Sequence, residues 1–385
     1  MKRAVIVDCL RTPIGRSHKE KGFYRDVRSD DLAATVIRGL VERSGIDPAE
    51  IEDVVLGNTQ QQGEQGLNAA RCVALMAGLP SQTAGATINR LCGSSLQAIN
   101  QAAHAIMAGF EDVQIVGGLE HMHHIPMDAD VDPNPKLFQH TSKAALHMGV
   151  TAEFLAQTQG ISREEQDKLA LESHMRAARA QAAGEFSGEM LPVWGRDEAG
   201  HRFLVDRDQC VRPDTSLEAL AALKPAFMPG LGTVTAGNSS PLNDGAAALL
   251  VMSEEKAKEL GLKPLVRVLA TAVVGVDPSV MGTGPVPATQ KALKRAGLKL
   301  ADIDVIELNE AFASQTIACM RMLDIDYSKV NLRGGSIAIG HPLGASGARI
   351  TTTLVHNLVD RDATLGLATM CIGVGQGIAT IFERV

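Results

Sequence analysis

Cys92 stands in NRLCGSS (89–95), directly ahead of the helical run LQAINQAAHAIMAG. That places its thiol at or near a helix N-terminus. Free N–H groups and the helix dipole there favour a thiolate, against an ordinary thiol pKa of about 8.5. The same N–H groups could hold an oxyanion. A buried structural cysteine is the plainer alternative. His341 lies between Gly340 and Pro342 in GGSIAIGHPLGASGAR (334–349), a tight turn leading into a helix. An imidazole there suits a general base near neutral pH, although a simple loop histidine fits as well. The turn lacks the Lys-Ser/Thr of a P-loop, and its glycine spacing is not the dinucleotide fingerprint, which argues against a Rossmann dehydrogenase.

Cys371 opens CIGVGQG (371–377) between two strand patterns, and Gly373 could bring backbone N–H groups close to a ligand. A small residue in a glycine-rich turn explains Cys371 equally well. Asn309 opens NEAFASQ (309–315) after the strand pattern DVIEL. It could cap the following helix, or orient a water or an oxyanion. Glu310 is either surface charge or support for a base. The small residues of VTAGNSSPLNDGAAA (234–248) would let a flat or extended ligand lie against backbone. HMHH (121–124) and His147 invite a metal, but the cluster lacks i,i+4 pairing and a carboxylate at useful spacing, so no metal site is expected.

The elements that would carry these residues alternate between strand and helix. Strand patterns cover 4–8, 53–58, 113–118, 266–276, 304–308, 365–370 and 377–382. Helical patterns cover 30–44, 66–78, 94–108, 287–296, 311–323 and 345–358. Near-continuous apolar strands between helices imply a buried sheet covered by helices. The two ends of the chain overlay at a constant offset of 252 residues, with 44–58 on 296–310, 88–95 on 340–347 and 112–119 on 364–371. Three segments in register point to an internal duplication. Cys92 then falls on Gly344, and Asn89 on His341, so equivalent loops would face each other across a pseudo-twofold axis, where ligands favour the crevice. The expected organisation is an N-terminal α/β half from 1–120 plus about 245–268, an inserted loop domain at 121–244 with helical patterns at 151–159 and 162–183, and a C-terminal half at 269–385.

Composition limits the chemistry further. The 385 residues are 45% hydrophobic, enough for two or three domains with sizeable cores. A net charge of −7 and only 3% aromatic residues argue against nucleic-acid binding, so an anionic ligand must be met by a local basic patch. No apolar run approaches the roughly 18 residues of a membrane span. MKRAVIVDCL reads as a first strand, not a signal peptide, because Asp8 interrupts it and Arg11-Thr12-Pro13 follow. The expectation is a cytoplasmic protein, and its six cysteines show no CxxC pair and no disulfide framework.

Taken together, NRLCGSS, NEAFA, GHPLGASGAR and CIGVGQG, with VTAGNSSPLNDGAAA and RTPIGR (11–16), resemble the thiolases from about residue 4 to the C-terminus. ISREEQD (161–167), VVGVDPSVMGTGPVPA (273–288) and QGIATIFERV (376–385) look most like the β subunit of the bacterial fatty-acid oxidation multienzyme complex. The resemblance implies duplicated, layered α/β halves (helix–sheet–helix–sheet–helix) with an inserted loop domain that binds CoA. It implies cleavage of a 3-ketoacyl-CoA by CoA in fatty-acid β-oxidation, through an acyl-thioester on Cys92. His341 matches the base, Cys371 the second catalytic cysteine, and Asn309 the holder of an oxyanion-hole water. The N–H groups of Cys92 and Gly373 match the second oxyanion hole. Arg212, Ser240 and His147 match CoA-contacting positions. No cofactor is implied, with CoA acting as a substrate. The implied assembly is a homodimer within an α2β2 complex, partnered by a hydratase/dehydrogenase α subunit. Other outcomes are an acetoacetyl-CoA-forming thiolase, a 3-ketoacyl synthase or a non-catalytic lipid-binding relative. Synthases resembling this family carry histidine where Cys371 stands, and a non-catalytic relative would be expected to lose Cys92 or His341.

Overall fold

A computed structural model describes residues 2–385. The first half contributes strands β1 (Ala4–Arg11), β2 (Gly15–Arg16), β3 (Asp53–Gly57), β4 (Ala84–Ile88) and β5 (Val113–His121), with helices α1 (Ser29–Ser44), α2 (Ala69–Met76) and α3 (Ser94–Ala108). Helices α4 (Met148–Thr158), α5 (Arg163–Ala182) and α6 (Leu217–Ala221) follow, with the β6 (Val193–Arg196) and β7 (Arg202–Val205) hairpin set between α5 and α6. Then come β8 (Asn243–Ser253), α7 (Glu254–Glu259), β9 (Val266–Gly275), α8 (Pro285–Ala296), β10 (Val305–Leu308), α9 (Ala313–Leu323), α10 (Leu343–Asp360), β11 (Leu365–Ile372) and β12 (Gln376–Arg384).

The strands run β10-β11-β12-β9-β1-β8-β5-β3-β4, with β2 beside β8. The expected two sheets are thus one hydrogen-bonded path. Only the pairs Val5 with Arg267 and Ile6 with Val266 join its halves. Parallel pairing holds among β3, β4 and β5 and between β10 and β11, while β8 and β12 run antiparallel to their neighbours. One core fills the space between the halves with Leu96, Ile99 and Ile106 of α3 against Ile350, Leu354 and Leu358 of α10. A second packs α1 and α2 on the outer face of the first half, and a third packs α8 and α9 on the outer face of the second. The result is five layers, helix–sheet–helix–sheet–helix.

Glycine makes the central layer thin. A Cβ on Gly347 of α10 would lie 2.6 Å from Leu96 Cβ and 2.9 Å from Leu96 Cα, so α3 and α10 touch backbone to backbone there. The offset of 252 holds for elements as well as residues: β3 falls on β10, α3 on α10 and β5 on β11.

Three departures from the sequence patterns matter. Residues 243–253, within and beyond the stretch expected to cradle a ligand, form the long central strand β8, buried at every position. The β4 strand and the β6–β7 hairpin had no clear pattern. The helix expected over 66–78 shortens to Ala69–Met76, because the Asn68 side chain caps it by accepting from Arg71 N at 3.3 Å. The chain between β5 and β8 is tied back to β1 by Arg11, whose buried guanidinium pairs with Asp208 at 2.7 and 2.9 Å and with Glu189 at 2.5 Å. Removing one partner of such a pair typically costs about 3–5 kcal/mol.

Candidate active site

Cys92 enters the site through a tight turn. Leu91 takes a left-handed φ of 46°, and Ser94 Oγ accepts from Arg90 N at 2.9 Å while donating to Leu91 O at 2.6 Å. Helix α3 begins two residues later, with Gly93 as its cap. Gly93 lets Ile372 pack close: a Cβ there would meet Ile372 Cδ1 at 2.6 Å and force that side chain to shift. The Cys92 sulfur is buried, with the backbone N–H groups of Gly373 and of Cys92 itself near enough to stabilise charge on it. Those donors favour the thiolate, but burial outweighs them and pushes the thiol up to about 11. The helix start alone predicts a ready thiolate. The folded protein instead holds a neutral thiol.

His341 is fixed on three sides. Gly340 takes a φ of 125°, and His341 N donates to Asn243 Oδ1 at 2.8 Å. Its Nδ1 lies 2.6 Å from Ser346 Oγ, and its Nε2 lies 3.4 Å from Asn309 Nδ2. The tautomer follows from a chain of donors. Arg349 can only donate, and gives a proton to Ser336 Oγ at 2.6 Å; Ser336 donates to Asn309 Oδ1 at 2.6 Å. The Asn309 amide nitrogen therefore faces Nε2, which must carry the lone pair, and Nδ1 carries the hydrogen toward Ser346. Burial, then the Arg349 charge, lowers the imidazole to about 3, so it is neutral at ordinary pH.

Cys371 is the penultimate residue of β11, just before a turn in which Val374 and Gly375 take φ of 61° and 81°. Burial raises its thiol well above the usual value, and the neighbouring Cys92 and Cys319 add to this.

One cavity of about 1120 Å³ is lined by Cys92, His341, Cys371 and Gly373. Arg212, Ser240 and His147 line it too. Asn309 lies behind His341 and touches it through its amide. Arg16, Lys143 and Arg212 are exposed at the cavity's edge, which supplies the local positive charge that a mildly acidic chain needs for an anion. Glu310 is fully buried, accepting from Ser173 Oγ at 2.7 Å and Asn331 Nδ2 at 2.8 Å, so it supports the His341 loop and is not surface charge. His121 and His124 stack at 3.6 Å, and His124 Nδ1 sits 3.1 Å from Glu64. Ser336, Ser346, Asn243 and Arg349 escaped the sequence patterns. Only their place in the His341 loop or next to a glycine-rich segment hinted at them.

Such a site can form a thioester on a buried cysteine, with an imidazole lone pair to receive the proton and backbone N–H groups to hold an oxyanion. Its frame and chemistry define an acyltransferase. Models of the thiolase N-terminal domain and the thiolase C-terminal domain match residues 4–255 and 262–384. The chain belongs to the thiolase family. It is 56% identical over 388 residues to a 3-ketoacyl-CoA thiolase of Aliivibrio fischeri, and 55% identical over 388 residues to one of Shewanella loihica, covering 100% of both chains in each case. The crystal structure of the Bacillus anthracis acetyl-CoA acetyltransferase superposes with a TM-score of 0.90 at 40% identity, covering 100% of this chain and 99% of that one.

Proposed function

We propose that the chain is a 3-ketoacyl-CoA thiolase of fatty-acid β-oxidation, cleaving its substrate by ping-pong transfer through Cys92. The observation that carries this is two thiols and one imidazole meeting in a single cavity, with Gly373 on the same wall. In the first half-reaction Cys92 Sγ attacks C3 of the substrate as His341 Nε2 takes its proton. The C2–C3 bond then breaks. Its electrons pass to the thioester enolate, whose oxygen is held by the protonated His341 and a water on Asn309. Cys371 gives its proton to C2, and acetyl-CoA leaves. In the second half-reaction the Cys371 thiolate takes the proton of incoming CoA. The CoA sulfur attacks the acyl-thioester, whose oxygen is held by the N–H groups of Cys92 and Gly373, and Cys92 recovers its proton from His341. Each side chain ends in its starting protonation state, the CoA proton replacing the one given to C2, and no redox or metal cofactor enters the balance.

Arg212, Ser240 and His147 are assigned to CoA, supported by their place on the cavity wall. A homodimer, within an α2β2 complex with a hydratase/dehydrogenase α subunit in the cytoplasm, extends the reading. Support for the dimer is the open sheet edge at β4, near the exposed Leu67, Leu75 and Met76. The test of function is a mass spectrum of the chain incubated with a 3-ketoacyl-CoA and no CoA. An acyl adduct on the Cys92 peptide is expected. Cys92→Ala removes it together with thiolysis, and Cys371→Ala keeps it while turnover drops. A Cys92→Ala enzyme with near-normal turnover overturns the reading. The likeness to the Bacillus acetyl-CoA acetyltransferase favours a second reading, an acetoacetyl-CoA thiolase. Turnover across a series of 3-ketoacyl-CoA lengths separates the two: the apolar wall of Met127, Val131, Phe138 and Leu146 favours the longer chains.

A further inference from the structure

A carboxylate with no cation among its hydrogen-bond partners lies fully buried beside the site. Glu120 is the penultimate residue of β5. Its Oε2 accepts from Thr59 N at 3.0 Å, Thr59 Oγ1 at 2.6 Å and Gly344 N at 2.9 Å. Its Oε1 accepts from Asn58 Nδ2 at 3.2 Å and Gln65 Nε2 at 2.8 Å. All five partners donate. Four of them, the Thr59 and Gly344 N–H groups and the Asn58 and Gln65 amides, can only donate. That favours the ionised carboxylate against the burial that raises its pKa, and it sets an amide at this position hydrogen against hydrogen.

Gly344 belongs to the first turn of α10, an 18-residue helix, so the positive end of that helix is met by the chain's own charge. The duplication supplies the contrast. At the offset of 252, Cys92 corresponds to Gly344, α3 to α10, and Glu120 to Ile372. The start of α10 therefore faces a carboxylate, while the start of α3 faces an apolar side chain packed against Gly93.

We propose that Glu120 is a positioning residue for the reaction: it fills one of two duplicated helix starts, and leaves the other, at Cys92, open to charge that develops on the substrate. The proposal rests on Cys92 as the nucleophile. Glu120 also ties β3, β5 and the loop after β3 to the turn that carries His341, since Leu343 N donates to His341 O at 2.9 Å immediately before Gly344. The other groups facing the Cys92 thiol are Cys371 and His341, both neutral at ordinary pH. Glu120 is the remaining charge acting on that sulfur, and it opposes thiolate formation until His341 takes the proton.

The experiment compares the full chain with Glu120→Gln and Glu120→Asp. It reads kcat and KM for thiolysis, and the pH dependence of Cys92 alkylation by iodoacetamide, followed on the Cys92 peptide. Glu120→Gln should lower kcat about tenfold or more with little change in KM. Its alkylation midpoint should move to lower pH, with a rate about threefold higher near pH 8. Glu120→Asp should keep the midpoint of the parent and recover part of kcat. A merely structural role changes kcat and leaves the midpoint in place. An unmoved midpoint in Glu120→Gln overturns the proposal. So does a lowered midpoint in Glu120→Asp, which decides the matter if the Gln variant fails to fold. Failure of the functional reading would show separately, as an unmodified parent chain that takes no acyl group.

Discussion

Gly347→Ala is the sharpest probe of the frame. The added Cβ would sit 2.6 Å from Leu96 Cβ and 2.9 Å from Leu96 Cα, where ordinary contact begins near 3.4 Å, and it would lie closer still to Leu96 N. Backbone cannot rotate away, so α3 and α10 must part by roughly 1 Å. Cys92 is four residues before Leu96, and His341 six before Gly347, so the displacement enters the thiol–imidazole spacing directly. A shift of that size costs about 100-fold in rate. Stability should respond far less. Overpacking costs about 1–3 kcal/mol, and alanine regains close to 1 kcal/mol of helix propensity over glycine. The assays are kcat/KM for thiolysis, single-turnover acylation of Cys92 by mass spectrometry, and urea unfolding. The expected result is a folded protein, at most about 2 kcal/mol less stable, with both rates down about 100-fold. Leu96→Ala keeps the Cα, Cβ and N atoms that clash, so it should not rescue the double variant. A folded Gly347→Ala protein with kcat/KM within threefold of the parent would refute the argument that this crossing sets the site's geometry.

Two more perturbations test the groups around His341. Ser336→Ala breaks the donor chain, leaving Asn309 Oδ1 and Arg349 Nη2 without their partner in a site where Arg349 Nε and Nη1 already lack one. Stability should fall by about 1–3 kcal/mol, and kcat should drop more than KM changes; unaltered acylation of Cys92 would show that the Asn309 amide is held by something else. His341 bears on stability against pH. Its folded value near 3 lies below the ordinary 6.5, so between these the unfolded chain binds the extra proton and stability falls as pH falls. From about pH 6.5 to 5 the loss from this group is about 2 kcal/mol. His341→Asn should therefore lose about 2 kcal/mol less than the parent over that interval in urea titrations, and equal slopes would contradict it.

Much of this frame is legible in the sequence for a physical reason. The chemistry-bearing residues sit in turns whose glycines and prolines are forced by close approach, and the duplication repeats helix–turn–strand spacing that survives as a constant offset. The strand β8 is not legible in the same way. NDGAAALLVMS is buried on both faces, so it shows no alternation, and its small residues mimic a ligand-facing loop. The β4 segment AGATI is short and rich in small residues. Glu120 escapes because its partners Asn58, Thr59, Gln65 and Gly344 come from segments far away in the chain, and Ser336 because the Asn309 it holds lies in a separate motif. Cys92 shows a different limit. Its helix start is visible in NRLCGSS, but the burial that reverses the expected thiolate comes from tertiary packing.

That reversal shapes the chemistry. With the thiol raised to about 11 and the imidazole lowered to about 3, the resting pair is neutral and the ion pair is the minor form. Coupling proton transfer to His341 with attack on the substrate carbonyl avoids that minor form, because the negative charge then appears on the substrate oxygen instead of on sulfur. The N–H groups of the α3 start and Gly373 serve best in that order, because charge arises only once a carbonyl is in place to receive it. A buried neutral thiol is also a poor target for alkylation or oxidation while the cavity is empty. The same burial that reverses the thiolate expected at this helix start therefore confines the reactivity of Cys92 to the moment of substrate attack.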